Sequence, residues 1–258
     1  MSNKTINTEQ GHWILAKMGK KVLRPGGKEL TIKMIQNLKI DNTDNVVEFA
    51  PGMGFTAALT LQHHPKSYTG IELNEEAASN LRKTIHSKNQ KIIVANAANS
   101  TLENNSYSKV YGEAMLTMQA DHRKSEIIKE AYRILKKGGK YGIHELGLVP
   151  NDLSEETKAK IQKELAHTIK VNARPLTQNE WITLLEKEGF SIENIETNPM
   201  LLLESKRMIE DEGVFRTLKI IYNIITHPEE RSRILAMRKV FRKNQHHLNA
   251  ISIVAVKN

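Results

Sequence analysis

The stretch Val46-Val47-Glu48-Phe49-Ala50-Pro51-Gly52-Met53-Gly54-Phe55 constrains this chain more than any other. Two β-branched residues run into an acid, then a Gly-rich turn, then Thr56-Ala57-Ala58-Leu59-Thr60-Leu61. That order predicts a buried strand, a tight turn and the start of a helix. Glycine admits positive φ and lets a backbone come close to a ligand. The first N–H groups of the following helix have no intrahelical partner and point over the turn. A dinucleotide fold wants G-x-G-x-x-G, with the helix N-terminus aimed at a pyrophosphate. Here Glu48 stands just before the turn, where an acid repels a pyrophosphate and suits a cationic ligand.

A second strand, Ser67-Tyr68-Thr69-Gly70-Ile71-Glu72-Leu73, ends in another acid. It lies about 18–20 residues past the Gly turn, the interval at which a βαβ unit delivers a carboxylate to ribose hydroxyls. Asn74 then caps a helix with Glu75 and Glu76 in its first turn. The run E-x-A-x-G-x-G resembles motif I of the class I S-adenosylmethionine-dependent methyltransferases, (D/E)-x-G-x-G-x-G. Ala50 replaces the first glycine, a departure that suits the turn if its φ is negative. The resemblance implies S-adenosylmethionine as cofactor and S-adenosylhomocysteine as product. It places Glu48, Ala50, Gly52 and Gly54 around the cofactor, and Glu72, with Leu73 beside it, at the ribose.

The third strand is Lys91 to Ala97. In the family this strand ends near the adenine with an acid and a small residue, and Asn96-Ala97 takes that place here; an amide can hydrogen-bond the adenine edge. Tyr107 to Leu116 reads as the fourth strand and its exit, with Glu113 in the family's acidic place. An amphipathic helix follows from Lys124 to Leu135, stopped by Lys136-Lys137-Gly138-Gly139. The run R-I-L-K-K-G-G-K before Tyr141-Gly142-Ile143 resembles a signature of the type-11 and quinone-biosynthesis methyltransferases. His144-Glu145 closes the fifth strand, at the sheet edge where open α/β folds bind ligands. Alternation turns at most one of the two inward. His144 and Glu113 are the candidate chemical groups, histidine being suited to take a proton near neutral pH; a hydrogen-bonded strand-end histidine is the plainer alternative. Before the first strand, Arg24 or Lys17 is placed to hold the cofactor's carboxylate, and each is equally readable as an exposed cation beside a turn.

The fold expected is α/β, a Rossmann-like three-layer sandwich with a seven-stranded, mostly parallel sheet whose last strand, Ala250 to Val256, is antiparallel. Residues 1–44 form an N-terminal helical cap. Residues 45–198 and 249–258 form the Rossmann-like domain. Residues 199–248 are a helical insertion, read as a lid with two helices. In it Val214, Leu218, Ile221, Tyr222 and Ile225, extended by Phe215 and Ile220, make an apolar stripe too wide to lie free in water. A basic helix face with Arg231, Arg238 and Arg242 follows; such a face binds membranes, acidic partners or RNA, or is simply solvated.

The chain has 258 residues, no cysteine and a formal charge of +9. The missing cysteines exclude disulfides, thiolate metal sites and cysteine nucleophiles. His63-His64 and His246-His247 are adjacent pairs, whose side chains diverge, so no metal is assigned. No stretch approaches the roughly 20 apolar residues that span a bilayer, and no apolar leader is visible, so the expected setting is cytoplasmic. The expected function is methyl transfer to a small-molecule acceptor. The alternative is an RNA or protein methyltransferase using the basic ends. No N-P-P-Y or D-P-P-Y tetrapeptide follows the fourth strand to support it. An oligomer is compatible with the sequence.

Overall fold

A computed structural model of the chain describes residues 10–258. In chain order, α1 (Gly11–Lys17) and α2 (Gly27–Leu38) lead into β1 (Asn45–Phe49). Then come α3 (Phe55–Leu61), β2 (Ser67–Glu72), α4 (Glu75–Arg82), β3 (Gln90–Val94) and β4 (Tyr107–Glu113). They are followed by α5 (Asp121–Ile134), β5 (Leu135–Leu148), α6 (Glu155–Ile169), β6 (Leu176–Thr177) and α7 (Gln178–Lys187). The chain ends with β7 (Phe190–Pro199), α8 (Ser205–Glu212), α9 (Val214–Thr226), α10 (Pro228–Lys243) and β8 (Leu248–Lys257).

The strands form one sheet in the order β3-β2-β1-β4-β5-β8-β7, with β6 paired to β5. The first five pair in parallel, and β8 runs antiparallel to both β5 and β7. The sheet exceeds the expected seven strands by β6, a two-residue pairing of Leu176 and Thr177 with Gly147 and Leu148. Strand order reverses between β1 and β4, so their carboxyl ends form the switch-point crevice of an open α/β sheet.

Helix starts follow the sequence signals. Asn74 accepts from the Ala77 amide and Ser154 from the Thr157 amide, and Thr177 with Glu180 makes a capping box. α5 stops at Ile134, one residue early, because Leu135 already begins β5. Apolar residues of α2, α3 and α4 bury one sheet face around Tyr68 and Tyr111. On the other face α5 and α7 pack around Trp181. A third cluster sits at the carboxyl edge, where α1, α6 and α10 meet Leu146, Leu148 and Leu248. Each large apolar side chain so buried contributes roughly 1.5–3 kcal/mol.

The segment between β7 and β8 holds three helices where two were expected. Its apolar stripe is also not covered. Val214, Phe215, Leu218, Ile221, Tyr222 and Ile225 are exposed, while α9 turns Thr217 and Ile220 inward. The helix has apolar residues on more than one face. Packing selected the face that fits against α8 and the turn after α1, where Thr217 Oγ1 donates to the Met208 carbonyl at 3.0 Å, Ile220 lies near Gly19, and Asn223 Nδ2 donates to the Met18 carbonyl at 3.0 Å.

Candidate active site

The turn after β1 is held from both sides. The Ala50 amide donates to the Ile71 carbonyl at 2.8 Å, and the Gly54 amide to the Pro51 carbonyl at 2.9 Å. Ala50 has φ 53, in the left-handed region and not the negative region expected of an alanine here. The turn still demands what the missing glycine would have supplied, at roughly 1–2 kcal/mol. Ala114, at the exit of β4, has φ 51. Both strand ends therefore bend sharply where β1 and β4 part. Gly52 (φ 57) faces open space, since a Cβ there would meet only the Ala50 carbonyl oxygen, at 3.9 Å. Gly54 serves packing instead: a Cβ there would come within 2.8 Å of Leu81 in α4.

Glu48 is buried and lies opposite Tyr111 in the sheet register. Tyr68 and Tyr111 both donate to its Oε2, at 2.5 and 2.8 Å. Burial pushes its carboxyl up to about 7 against the pull of those hydroxyls. Glu72 accepts from the Asn74 amide at 3.0 Å and the Gly52 amide at 3.3 Å, so the second acid is tied directly to the Gly turn.

A buried polar cluster closes the other side. One oxygen of Glu113 accepts from Arg24 and Thr56, and the other from Thr31 at 2.6 Å. His144 Nδ1 stands 2.7 Å from that second oxygen, and its Nε2 donates to the Pro25 carbonyl at 2.5 Å. Burial would raise the Glu113 carboxyl, but Arg24 and His144 bring it down to about 2. The Arg24 guanidinium also lies 4.7 Å from the centre of the Phe55 ring.

The structure ties both chemical candidates to partners within the protein. His144 is fully buried, both ring nitrogens are engaged within the protein, and it lies outside the cavity walls, so it has no path to an acceptor. Glu113 reaches the cavity, but both its oxygens are occupied and its acidity is that of a fixed anion, not a base. It positions Arg24. Nor does only one of the strand-end pair turn inward. Both His144 and Glu145 are buried, on opposite faces, and Glu145 accepts from the amides of Met115, Leu116 and Thr117 and from the Thr117 hydroxyl.

A cavity of about 310 Å³ opens from the Gly turn. Its walls include Arg24, Glu48, Ala50, Gly52, Glu72 and Glu113. Gly54, Leu73, Asn96 and Ala97 lie outside those walls. Leu73 is exposed, and Asn96 spends its side-chain oxygen on the Ala98 amide (2.9 Å) and Arg123 (3.2 Å). Away from the turn the cavity is apolar, walled by Trp13, Met115, Met118, Met200, Met237 and Phe241. His12 is also in the wall, its ring 5.2 Å from that of Trp13, and burial lowers its pKa below the ordinary histidine value. Sequence reasoning missed His12, Thr31, Thr56, Tyr68 and Tyr111. Only the fold brings these together. Lys17 points away from the site and pairs with Glu230.

A family profile described as a methyltransferase domain matches residues 46–139. An uncharacterised protein of Haemophilus influenzae is 36% identical over 253 residues, covering 96% of this chain and 98% of that protein. Among solved structures, the [4+2]-cyclase SpnF superposes with a TM-score of 0.74 at 15% identity, covering 97% of this chain and 94% of that one. Phosphoethanolamine N-methyltransferase 2 of Haemonchus contortus, in complex with phosphomonomethylethanolamine and S-adenosylhomocysteine, superposes with a TM-score of 0.72 at 18% identity. That match covers 99% of this chain, which spans only 58% of the Haemonchus chain. Residues 46–139 thus match a methyltransferase domain, and the chain has the Rossmann-like fold that the solved structures share. The cofactor that a methyltransferase domain of this fold implies is S-adenosylmethionine. The residues present fit that cofactor: Gly52 leaves its path open, Glu72 stands at the ribose interval, and one Glu48 oxygen accepts no hydrogen bond from the described residues.

Proposed function

We propose that this enzyme methylates a small molecule with an apolar body. One observation carries the reading: the Gly turn and the methionine-rich chamber are parts of one cavity. Its size falls near the lower end of the range usual for small-ligand sites. Four methionines supply a wall that adapts to an irregular apolar shape. Helices α1 and α10, with Met200 and Leu202, roof the chamber, so the segment 199–248 acts as a lid through these residues.

In this reading Glu72 holds the ribose hydroxyls and Gly52 admits the ligand to the turn. Glu48 offers its unpartnered oxygen to the cofactor's ammonium. Arg24, fixed by Glu113 and Thr56, presents its remaining N–H groups to the cofactor's carboxylate. The adenine end runs out along the open edge at Leu73, Asn96 and Ala97. The bound cofactor supplies an activated methyl on a sulfonium. The protein contributes position, a dry chamber and carboxylates set near a cation. His12, kept neutral by burial, takes the proton an acceptor hydroxyl or ammonium must lose. We place the reaction in the cytoplasm, since secreted proteins are commonly disulfide-bonded and this chain has no cysteine.

The test is to incubate the enzyme with methyl-labelled S-adenosylmethionine and a cell extract, then separate small molecules from RNA and protein. Label in an organic-soluble small molecule supports the reading. Label retained by RNA or protein overturns it in favour of a macromolecular acceptor.

A further inference from the structure

The exposed face of α9 does not belong to the cavity. Six large apolar side chains lie on it, with relative exposures of 56% for Val214, 90% for Phe215, 58% for Leu218, 38% for Ile221, 67% for Tyr222 and 59% for Ile225. Leu235 of α10 and Ile209 of α8 are exposed on the flanking helices. Soluble proteins rarely leave so contiguous an apolar patch in water unless something covers it.

The charges beside the patch indicate what covers it. Helix α9 carries Arg216 and Lys219 and no acidic residue. Lys219 and, on α8, Lys206 are exposed and make no ion pair among the described residues. Arg231 sits at the far end, its guanidinium donating to the Ile225 carbonyl at 3.2 Å. The nearby acids are largely occupied: Glu212 by Lys20 and Arg216, Glu230 by Lys17, while Glu229 is exposed. Residues 204–258 contain 11 Lys and Arg against 6 Asp and Glu. The patch is therefore apolar with a cationic rim.

We propose that this face docks on an anionic lipid surface. Phe215 and Tyr222 enter the boundary between headgroups and acyl chains, and Lys206, Lys219 and Arg231 meet the headgroup phosphates. A second copy of the chain fits less well, because two such faces would oppose cations with no acid on the helix to pair them. The helix lies on the bilayer and does not cross it: it has 13 residues, and no described helix is long and apolar enough to span. Both α9 and α10 share this outer layer, and Met237 and Phe241 of α10 line the cavity. Docking therefore brings the wall of the chamber beside the lipid.

The experiment is flotation of the full chain with vesicles of phosphatidylcholine alone or mixed with phosphatidylglycerol. The wild type is expected to bind the mixed vesicles at least about tenfold more tightly than the neutral ones, and less tightly as salt rises. The triple substitution Phe215→Ser, Leu218→Ser, Tyr222→Ser is expected to lose binding by about tenfold or more, with melting temperature and S-adenosylhomocysteine affinity unchanged, since these side chains are exposed. If that variant fails to fold, the pair Lys206→Glu, Lys219→Glu is expected to abolish the preference for anionic vesicles. Equal binding to both vesicles, or binding to neither, overturns the proposal. A lipid-free dimer that the triple substitution splits, seen by light scattering, overturns it in favour of a second copy.

Discussion

Glu48→Gln isolates the ionisation of one buried carboxylate. In the folded protein burial raises this group from 4.5 to about 7. Between those values the folded chain keeps a proton that the unfolded chain has lost. Folding therefore takes up a proton, and stability falls as pH rises through this window. A tenfold change in proton affinity is worth about 1.36 kcal/mol, so the wild type should lose about 2.5 kcal/mol from this group between about pH 5 and pH 8.5. Glutamine is close in shape to the protonated acid. Its carbonyl oxygen can accept from Tyr68 and Tyr111 as Glu48 Oε2 does. The variant should match the wild type near pH 5 and exceed it by about 2.5 kcal/mol near pH 8.5. Urea unfolding at the two pH values measures this, with equal m-values as the check that both unfold alike. Other buried acids, Glu145 among them, cancel in the comparison. A constant difference between variant and wild type across the range would mean that Glu48 does not bind its proton more tightly in the folded chain. A variant less stable than the wild type near pH 8.5 would mean the same.

Gly52→Ala should lower S-adenosylhomocysteine affinity by about tenfold or more while costing about 1 kcal/mol of stability, because its methyl enters open space at φ 57; calorimetry and thermal melting read the two effects. Glu72→Ala should weaken cofactor binding about ten- to a hundredfold, the worth of charge-assisted hydrogen bonds of roughly 1.5–3 kcal/mol, and an unchanged titration would rule out the ribose role. His144→Gln should destabilise by about 2–4 kcal/mol through two lost buried hydrogen bonds, yet leave the pH profile of turnover in place. His12→Ala should remove the acidic limb of that profile: His12 must be neutral to accept a proton, and burial holds its pKa below 6.5, so wild-type turnover should fall only under that value.

Local sequence was enough for the strand, turn and helix around Glu48, the second acid at Glu72, the cap at Asn74, and the order of the main strands along the chain. These depend on neighbours within a few residues, on period-two or helical patterning, and on the interval a βαβ unit requires. The match to a methyltransferase domain bears out the family that this order suggested. What each buried polar group does came from packing. Glu48 meets Tyr68 and Tyr111 only because β2 and β4 both flank β1. His144 became a strut and not a base because α2 and its leading turn place Thr31 and the Pro25 carbonyl against its ring. The sharp bend at Ala50 was set by the close of the β1 turn, which overrode the preference of the residue. On α9, apolar residues on more than one face left two surfaces able to pack inward. The contacts with α8 and with the turn after α1 chose Thr217 and Ile220, and so left Phe215, Leu218 and Tyr222 in water. Periodicity reports that a helix has an apolar face; which face is buried depends on what the rest of the chain brings against it.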